Sequence, residues 1–305
     1  MAEVAFTSPA LRELALRGYI EQMSDAAAID AALAAGPVVF YAGFDPTGPS
    51  LHAGHLVPIM AMRRLQQLGH RPIVVLGGGT ARVGDPSGKS ETRKLLSAET
   101  IAANTRSIAR QMGRFLAIGD AAANGAEVVD NHEWLGELKY IDFLREIGVH
   151  FTVNRMIATK TYRDRLDAEE PLSFIEFNYQ LFQAFDFLQL HRTRSCTLQL
   201  GGGDQWGNVL AGVELVRRFG LGPAHGFVFP LLTTASGAKM GKTEKGSVWL
   251  DPELTSPFDY YQYWIGCDDR DVVRMFRIFT DVSLAEIEQI AALSGAELRE
   301  AKARL

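Results

Sequence analysis

The spacing of apolar positions changes several times along the chain, and each change marks an element. Val38-Val39-Phe40-Tyr41-Ala42-Gly43-Phe44 is a short run of β-branched and aromatic residues, the signature of a buried strand. Asp45-Pro46-Thr47-Gly48-Pro49-Ser50 breaks it, since two prolines and a glycine disfavour both regular structures. Over residues 56–68 the apolar positions recur at helical spacing, and 72–76 reads as a second buried strand. Strand, helix and strand with apolar strands form a βαβ unit, which implies a parallel sheet. Residues 127–130, 196–200 and 227–232 read as further strands, and 97–116 and 209–219 as helices. Two short helices precede all of this, over 8–35.

The fold class expected is α/β: a Rossmann-like, doubly wound parallel sheet with an inserted helical segment, followed by a small all-α domain. The catalytic domain would occupy 1–229, with the insertion at about 131–175. A linker with a lysine-bearing loop would span 230–257, and the helical domain would start at 258 and run to 305. Its helices fall at about 258–265, 270–279 and 285–293, and another begins near Ala296. That last helix is charged (Arg299, Lys302, Arg304) and shows no packing partner in the sequence, so the chain is expected to be truncated.

Composition narrows the class. At 47% hydrophobic and 22% charged, the 305 residues resemble an ordinary globule with a real core. A net charge of −5 excludes a basic nucleic-acid coat, so any such contact must be local. No apolar run approaches the length of a bilayer span, and the first residues lack the basic start and apolar block of a signal peptide. Cys196 and Cys267 have no metal-ligand spacing, which fits a reduced, cytoplasmic protein with structural thiols.

The candidate chemistry sits where strands end. His52-Ala53-Gly54-His55 stands at a helix start, where unpaired N–H groups and the positive dipole end suit an anion. The two imidazoles would add donors, and Gly54 would let a flat ring or sugar approach the backbone. The alternative is that both histidines are ordinary caps. Val83-Gly84-Asp85-Pro86-Ser87-Gly88-Lys89 is either a solvent turn or a place where backbone meets ligand. It is not a Walker A loop, because the upstream glycine spacing is wrong.

Ser173-x-x-Glu176 is a capping box that starts a mostly aromatic and aliphatic helix over 174–190. Tyr179, Gln183 and Asp186 recur on one face of it. A buried polar stripe is costly unless something polar meets it, either an internal network or a ligand. Gly201-Gly202-Gly203-Asp204-Gln205-Trp206 ends a strand as a glycine-rich turn with an acid, the usual ligand position in open α/β sheets. The loop 233–246 carries three glycines and three lysines and shows almost nothing to bury it, so it is expected to be mobile. Lysines on such a loop suit a phosphate leaving group, with a solvated loop as the plain alternative.

His52-Ala53-Gly54-His55 and Lys239-Met240-Gly241-Lys242-Thr243 together resemble the two signature sequences of class I aminoacyl-tRNA synthetases. Tyr41-Ala42-Gly43-Phe44-Asp45-Pro46-Thr47, Gly84-Asp85-Pro86-Ser87-Gly88-Lys89 and Gly203-Asp204-Gln205-Trp206-Gly207-Asn208 narrow the resemblance to the bacterial-type tyrosyl-tRNA synthetase family. It runs from about residue 10 to the end, in order and spacing. Departures are small: Ala53 for isoleucine, Gly241-Lys242-Thr243 for Ser-Lys-Ser, and Ala42 and Gly203 for cysteine and serine. The family's S4-like RNA-binding module is expected to be absent from these 305 residues.

The resemblance implies activation of L-tyrosine by ATP, with Mg²⁺ carried on the nucleotide, and transfer to the 3′ end of tRNA(Tyr) by a homodimer built through the insertion. It implies that Tyr41 and Asp186 hold the phenol, that Asp85, Tyr179 and Gln183 hold the ammonium, and that Gln205 lies near the carboxylate. Thr47 and His52 would meet the γ-phosphate, and His55 and Asp204 the ribose. Gly43, Asp45, Gly54 and Gly202 would complete the ATP site. Lys89, Arg93, Lys239 and Lys242, with Thr243 nearby, would grip the leaving pyrophosphate. Three rivals share parts of this pattern. A nucleotidyltransferase would lack the lysine loop, a tryptophanyl-tRNA synthetase would lack the Tyr41/Asp186 pair, and a non-catalytic RNA-binding relative would lack the full ATP-facing set.

Overall fold

A computed structural model describes residues 6–87, 96–235, 237, 240–243 and 246–305. Strand β1 (Gln22–Met23) lies between helices α1 (Pro9–Arg17) and α2 (Ala26–Ala35). β2 (Val39–Phe44), α3 (Leu56–Gln67) and β3 (Arg71–Leu76) follow, then α4 (Ala98–Met112) and β4 (Glu127–Asp130). The inserted segment holds α5 (His132–Leu135), α6 (Tyr140–Glu146), α7 (Val153–Ile157) and α8 (Lys160–Asp167). Then come α9 (Phe174–Phe177), α10 (Tyr179–Arg194), β5 (Leu198–Gly202), α11 (Trp206–Arg218) and β6 (His225–Phe229). A small hairpin, β7 (Lys242–Thr243) and β8 (Gly246–Ser247), precedes α12 (Pro257–Ile265), α13 (Val272–Phe279), α14 (Leu284–Ala291) and α15 (Gly295–Lys302).

The main sheet has the order β1-β6-β5-β2-β3-β4. Its four pairings from β6 to β4 are parallel, and only β1 runs antiparallel, on β6. β1 was not expected; two residues carry no periodicity from which to read a strand. The doubly wound expectation holds. Period-two alternation sends Phe40, Ala42 and Phe44 into a core with α1 to α4, and Tyr41, Ile73 and Val75 into a second core with α10 and the insertion.

Local signals place the helix ends. Ser8, Asp25, Ser97, Ser256 and Ser283 each accept a backbone N–H as the N-cap, and Gly18, at φ 84°, closes α1. The Ser173–Glu176 capping box forms, but it starts only the short α9. The chain turns at Asn178, and α10 begins at Tyr179.

Two further expectations are corrected. α15 does have a packing partner: Leu298 and Ala301 are buried with Val272, Phe276, Ile287 and Ile290, and Lys302 pairs with Asp269 at 2.5 Å. Nor is the lysine loop free of burial, since Met240 is enclosed by Ala53, Leu56, Trp264 and Met275. Both contacts join residues far apart in sequence, which local periodicity does not carry.

Candidate active site

The strand order reverses between β2 and β5, so their C-terminal ends splay apart and leave a crevice. A cavity of about 280 Å³ opens there, the size of a small ligand. β2 and its loop contribute Tyr41, Gly43, Asp45 and Thr47 to its walls. His55 comes from the start of α3, and Asp85 from the loop after β3. α10 supplies Tyr179, Gln183 and Asp186; the end of β5 supplies Gly202, Asp204 and Gln205.

One hydrogen-bonded chain forms the deep end. Asp186 accepts from Asn131 Nδ2 at 2.9 Å and from Trp134 Nε1 at 2.7 Å. Asn131 also donates to Thr80 Oγ1 at 3.1 Å, Thr80 donates to Asp45 at 2.7 Å, and Tyr179 Oη donates to the other Asp45 oxygen at 2.9 Å. A second chain runs along the wall. Gln199 Nε2 donates to Tyr41 Oη, and Gln183 donates to Gln199 at 3.2 Å. Asn208 donates to Gln183 at 3.0 Å and to Gln205 at 3.1 Å, and Gln205 donates to Asp85 at 2.8 Å. The Ser87 hydroxyl lies 2.6 Å from Asp85 and 3.3 Å from Asp204.

These chains fix what each group offers. Asp186 is therefore both inside a network and on the cavity wall. A carboxylate has about four acceptor positions, and the two donors leave room for another hydrogen bond. Tyr41 Oη already accepts from Gln199, so its own hydrogen is available to donate. An acceptor and a donor thus stand on the wall of one cavity. Burial pushes the Asp186 carboxyl up to about 7, against the pull of the Asn131 and Trp134 donors. Burial also pushes the Tyr41 phenol well up, aided by the Asp186 carboxylate. The Tyr179 phenol is raised in the same way, with Asp45 contributing.

The histidine motif is built differently from the expectation. His52 N–H donates to His55 Nδ1 at 3.0 Å, and Gly54 N–H donates to His52 Nδ1 at 3.1 Å. The imidazoles cap their own turn and use two N–H groups that were expected to face an anion. In a neutral ring an accepting Nδ1 puts the proton on Nε2. Loss of solvation, with His52 beside it, lowers the His55 pKa to about 3, which keeps that ring neutral. The rings lie 3.8 Å apart between centroids. His55 lines the cavity; His52 and Gly54 are not among its lining residues. The bare face of Gly54 meets protein rather than a ligand, since a Cβ there would fall 3.0 Å from the Met240 carbonyl oxygen.

The expectations for Lys89, Arg93 and Lys239 lie outside the described residues, as do the side chains of Lys242 and Thr243. The backbone on which the last two ride is held close by. Ala53 N–H donates to Val248 O at 2.8 Å, and Leu250 N–H donates to Leu51 O at 2.8 Å, so the returning strand runs beside the histidine motif.

Asn131, Trp134, Thr80, Ser87, Gln199 and Asn208 were not anticipated. Gln199 had a readable signal: it is a fully buried polar residue in an apolar strand, and such a residue needs a partner. Asn131 and Trp134 had none, because they lie in an insertion with no clear periodicity. Among the described residues no group of His, Cys, Asp and Glu could hold a metal ion.

A Rossmann-like sheet with its crevice at the switch point, a paired histidine turn and a docked lysine loop defines a nucleotide-dependent class I synthetase. The chain matches the family "tRNA synthetases class I (W and Y)" over residues 33–305, and it belongs to that family. It is 54% identical over 301 residues to the tyrosine–tRNA ligase of Caulobacter vibrioides, covering 99% of this chain and 72% of that one. It is 54% identical over 292 residues to the tyrosine–tRNA ligase of Desulfosudis oleivorans, covering 96% and 67%. A C-terminally truncated Coccidioides posadasii mitochondrial tyrosyl-tRNA synthetase superposes with a TM-score of 0.82 at 29% identity, covering 96% of this chain and 85% of that one.

Proposed function

We infer that the protein is an aminoacyl-tRNA synthetase that joins L-tyrosine to tRNA(Tyr) in two steps. A tyrosine carboxylate oxygen attacks the α-phosphorus of MgATP. The bond from that phosphorus to the bridging oxygen breaks, and pyrophosphate leaves. A hydroxyl at the 3′ end of the tRNA then attacks the adenylate carbonyl, and AMP leaves.

The observation that carries the choice of amino acid is the donor–acceptor pair of Tyr41 and Asp186 at the deep end of the cavity. A phenol hydroxyl meets both; an indole or a phenyl ring leaves the Tyr41 hydrogen and the remaining Asp186 acceptor position unused, which is costly in a buried site. In this reading Asp85, Tyr179 and Gln183 take the ammonium, and Gln205 lies by the carboxylate. Thr47 and His52 meet the γ-phosphate, His55 and Asp204 the ribose, and Gly43, Asp45 and Gly202 complete the nucleotide site. Lys89, Arg93, Lys239, Lys242 and Thr243 stabilise the departing pyrophosphate. No protein nucleophile is needed; catalysis is positioning and charge stabilisation. Mg²⁺ enters with ATP as part of the substrate.

Residues 1–229 act as the catalytic unit, 230–257 as a connector and 258–305 as a helical unit on the anticodon side. A homodimer is supported by the apolar surface of the insertion, where Ile141, Val149, Val153 and Phe174 are all more than half exposed. A cytoplasmic location is supported by two free cysteines, and no helix among the described residues is long and apolar enough to cross a membrane. Tyrosine-dependent ATP–pyrophosphate exchange tests the reaction. Exchange with tyrosine and none with tryptophan is expected; the reverse would overturn the reading.

A further inference from the structure

The backbone of the lysine-bearing loop is accounted for group by group at Met240 and Gly241. Met240 N–H donates to Leu232 O at 2.9 Å, and Gly241 O accepts from Val248 N–H at 2.9 Å. Gly241 is buried, and its N–H donates to a single side-chain atom, Tyr263 Oη, at 2.9 Å. The same hydroxyl donates to Met240 Sδ at 3.1 Å. One phenol on α12 therefore ties down two consecutive residues of the loop.

α12 is itself held firmly. Its Trp264 packs edge-on to Tyr260, Tyr263 and Phe279. Phe279 ends α13, whose C-terminal carbonyls are capped from the catalytic unit. Arg17 donates to Arg277 O, Thr280 O and Val282 O at 3.1, 3.3 and 2.9 Å. Arg64 donates to Thr280 O, and Tyr19 donates to Ile278 O. Helix-end carbonyls have no partner inside their own helix, and buried guanidinium groups satisfy them here. Arg63 adds a bond to Asp281 at 2.5 Å. α3 thus carries the histidine motif at its start and, near its other end, the arginines that fix α13.

We propose that Tyr263 is a positioning residue for adenylate formation, through which the C-terminal helices set the posture of the lysine-bearing loop against the histidine motif. This rests on reading that loop as the pyrophosphate grip. The hydroxyl is the contact that matters: without it a buried N–H of Gly241 is unpaired and Met240 loses its polar anchor. The phenol is suited to the task because burial raises its pKa, so it remains a donor. Tyrosine binding is not involved, because Tyr263 is no part of the cavity wall that holds Tyr41 and Asp186.

The test is Tyr263→Phe in the full chain, which keeps the ring in its aromatic cluster. Two readouts are needed. Backbone hydrogen exchange over residues 240–243 should speed up about tenfold, while the urea midpoint changes little. The kcat of tyrosine-dependent pyrophosphate exchange should fall about five- to tenfold, with the KM for tyrosine unchanged. Unchanged hydrogen exchange, unchanged kcat, or a loss confined to tyrosine KM would each overturn the proposal. If the unmodified chain shows no exchange activity, the functional reading fails, and hydrogen exchange alone decides whether Tyr263 holds the loop.

Discussion

Gly241 sits against Gly54: a Cβ on Gly241 would fall 2.4 Å from the Gly54 backbone nitrogen. Gly241 also has φ 80°, a conformation that glycine adopts at little cost and alanine does not. The two signature sequences therefore touch backbone to backbone, and neither glycine needs a ligand to explain it. Gly241→Ala should push the loop off the histidine motif. The expected outcome is at least about a tenfold loss in the rate of adenylate formation, with tyrosine affinity unchanged, measured by stopped-flow fluorescence and equilibrium binding. Wild-type rates in that variant would show that the contact is incidental.

Asp186 gives a pH dependence with a defined sign. Its carboxyl is raised from 3.8 to about 7 in the folded chain, mainly by burial. The folded state therefore binds more protons than the unfolded state between those values. The contribution of Asp186 to stability is fully present below about pH 4 and is lost as pH rises through about 7. Asp186→Asn should remove that part of the slope in urea unfolding between pH 4 and 7. If the phenol donates to the ionised acid, tyrosine affinity should move the opposite way, strengthening as pH rises through 7. A binding curve that is flat across this range would deny the acid its acceptor role.

Asn131 and Trp134 lower the cost of ionising Asp186. Trp134→Phe removes one donor at nearly constant shape. The midpoint of the tyrosine-binding pH profile should then shift upward, and affinity at pH 7 should weaken by about three- to tenfold, on the usual worth of a hydrogen bond to a charged group. Isothermal titration across pH checks both. No shift would mean that the indole bond does not stabilise the ionised form.

The insertion surface is a prediction of assembly. Phe174 and Val149 are 69% and 67% exposed, high for residues of this kind. Light scattering should give the mass of two chains, and Phe174→Glu combined with Val149→Glu should give the mass of one. A single-chain mass for the unmodified protein would refute the homodimer.

Much of the fold was legible because its elements are local. The βαβ pattern around residues 39–76, the serine caps and the glycine-rich strand ends each carry their own signal within about ten residues. The same holds for Tyr179, Gln183 and Asp186, which share a face by helical spacing alone. What escaped is non-local. Asn131 reaches Asp186 from 55 positions away. Gln183 is linked to Tyr41 through Gln199, and Met240 is buried by Ala53 and Leu56 far before it and by helices that follow it. The histidines show a subtler limit. Their type and spacing marked the right turn, but only coordinates show that their Nδ1 atoms consume the N–H groups expected to bind phosphate.

The substrate assignment stands on a buried acid and a phenol that need a hydroxyl between them. The most direct measurement is pyrophosphate exchange with tyrosine and with phenylalanine, run on the unmodified chain and on Asp186→Ala. The unmodified chain should exchange with tyrosine and reject phenylalanine by several orders of magnitude, as is known for this class of ligase. Asp186→Ala should lose exchange with tyrosine. Near-normal exchange with tyrosine in that variant, or comparable use of phenylalanine by the unmodified chain, would contradict the account.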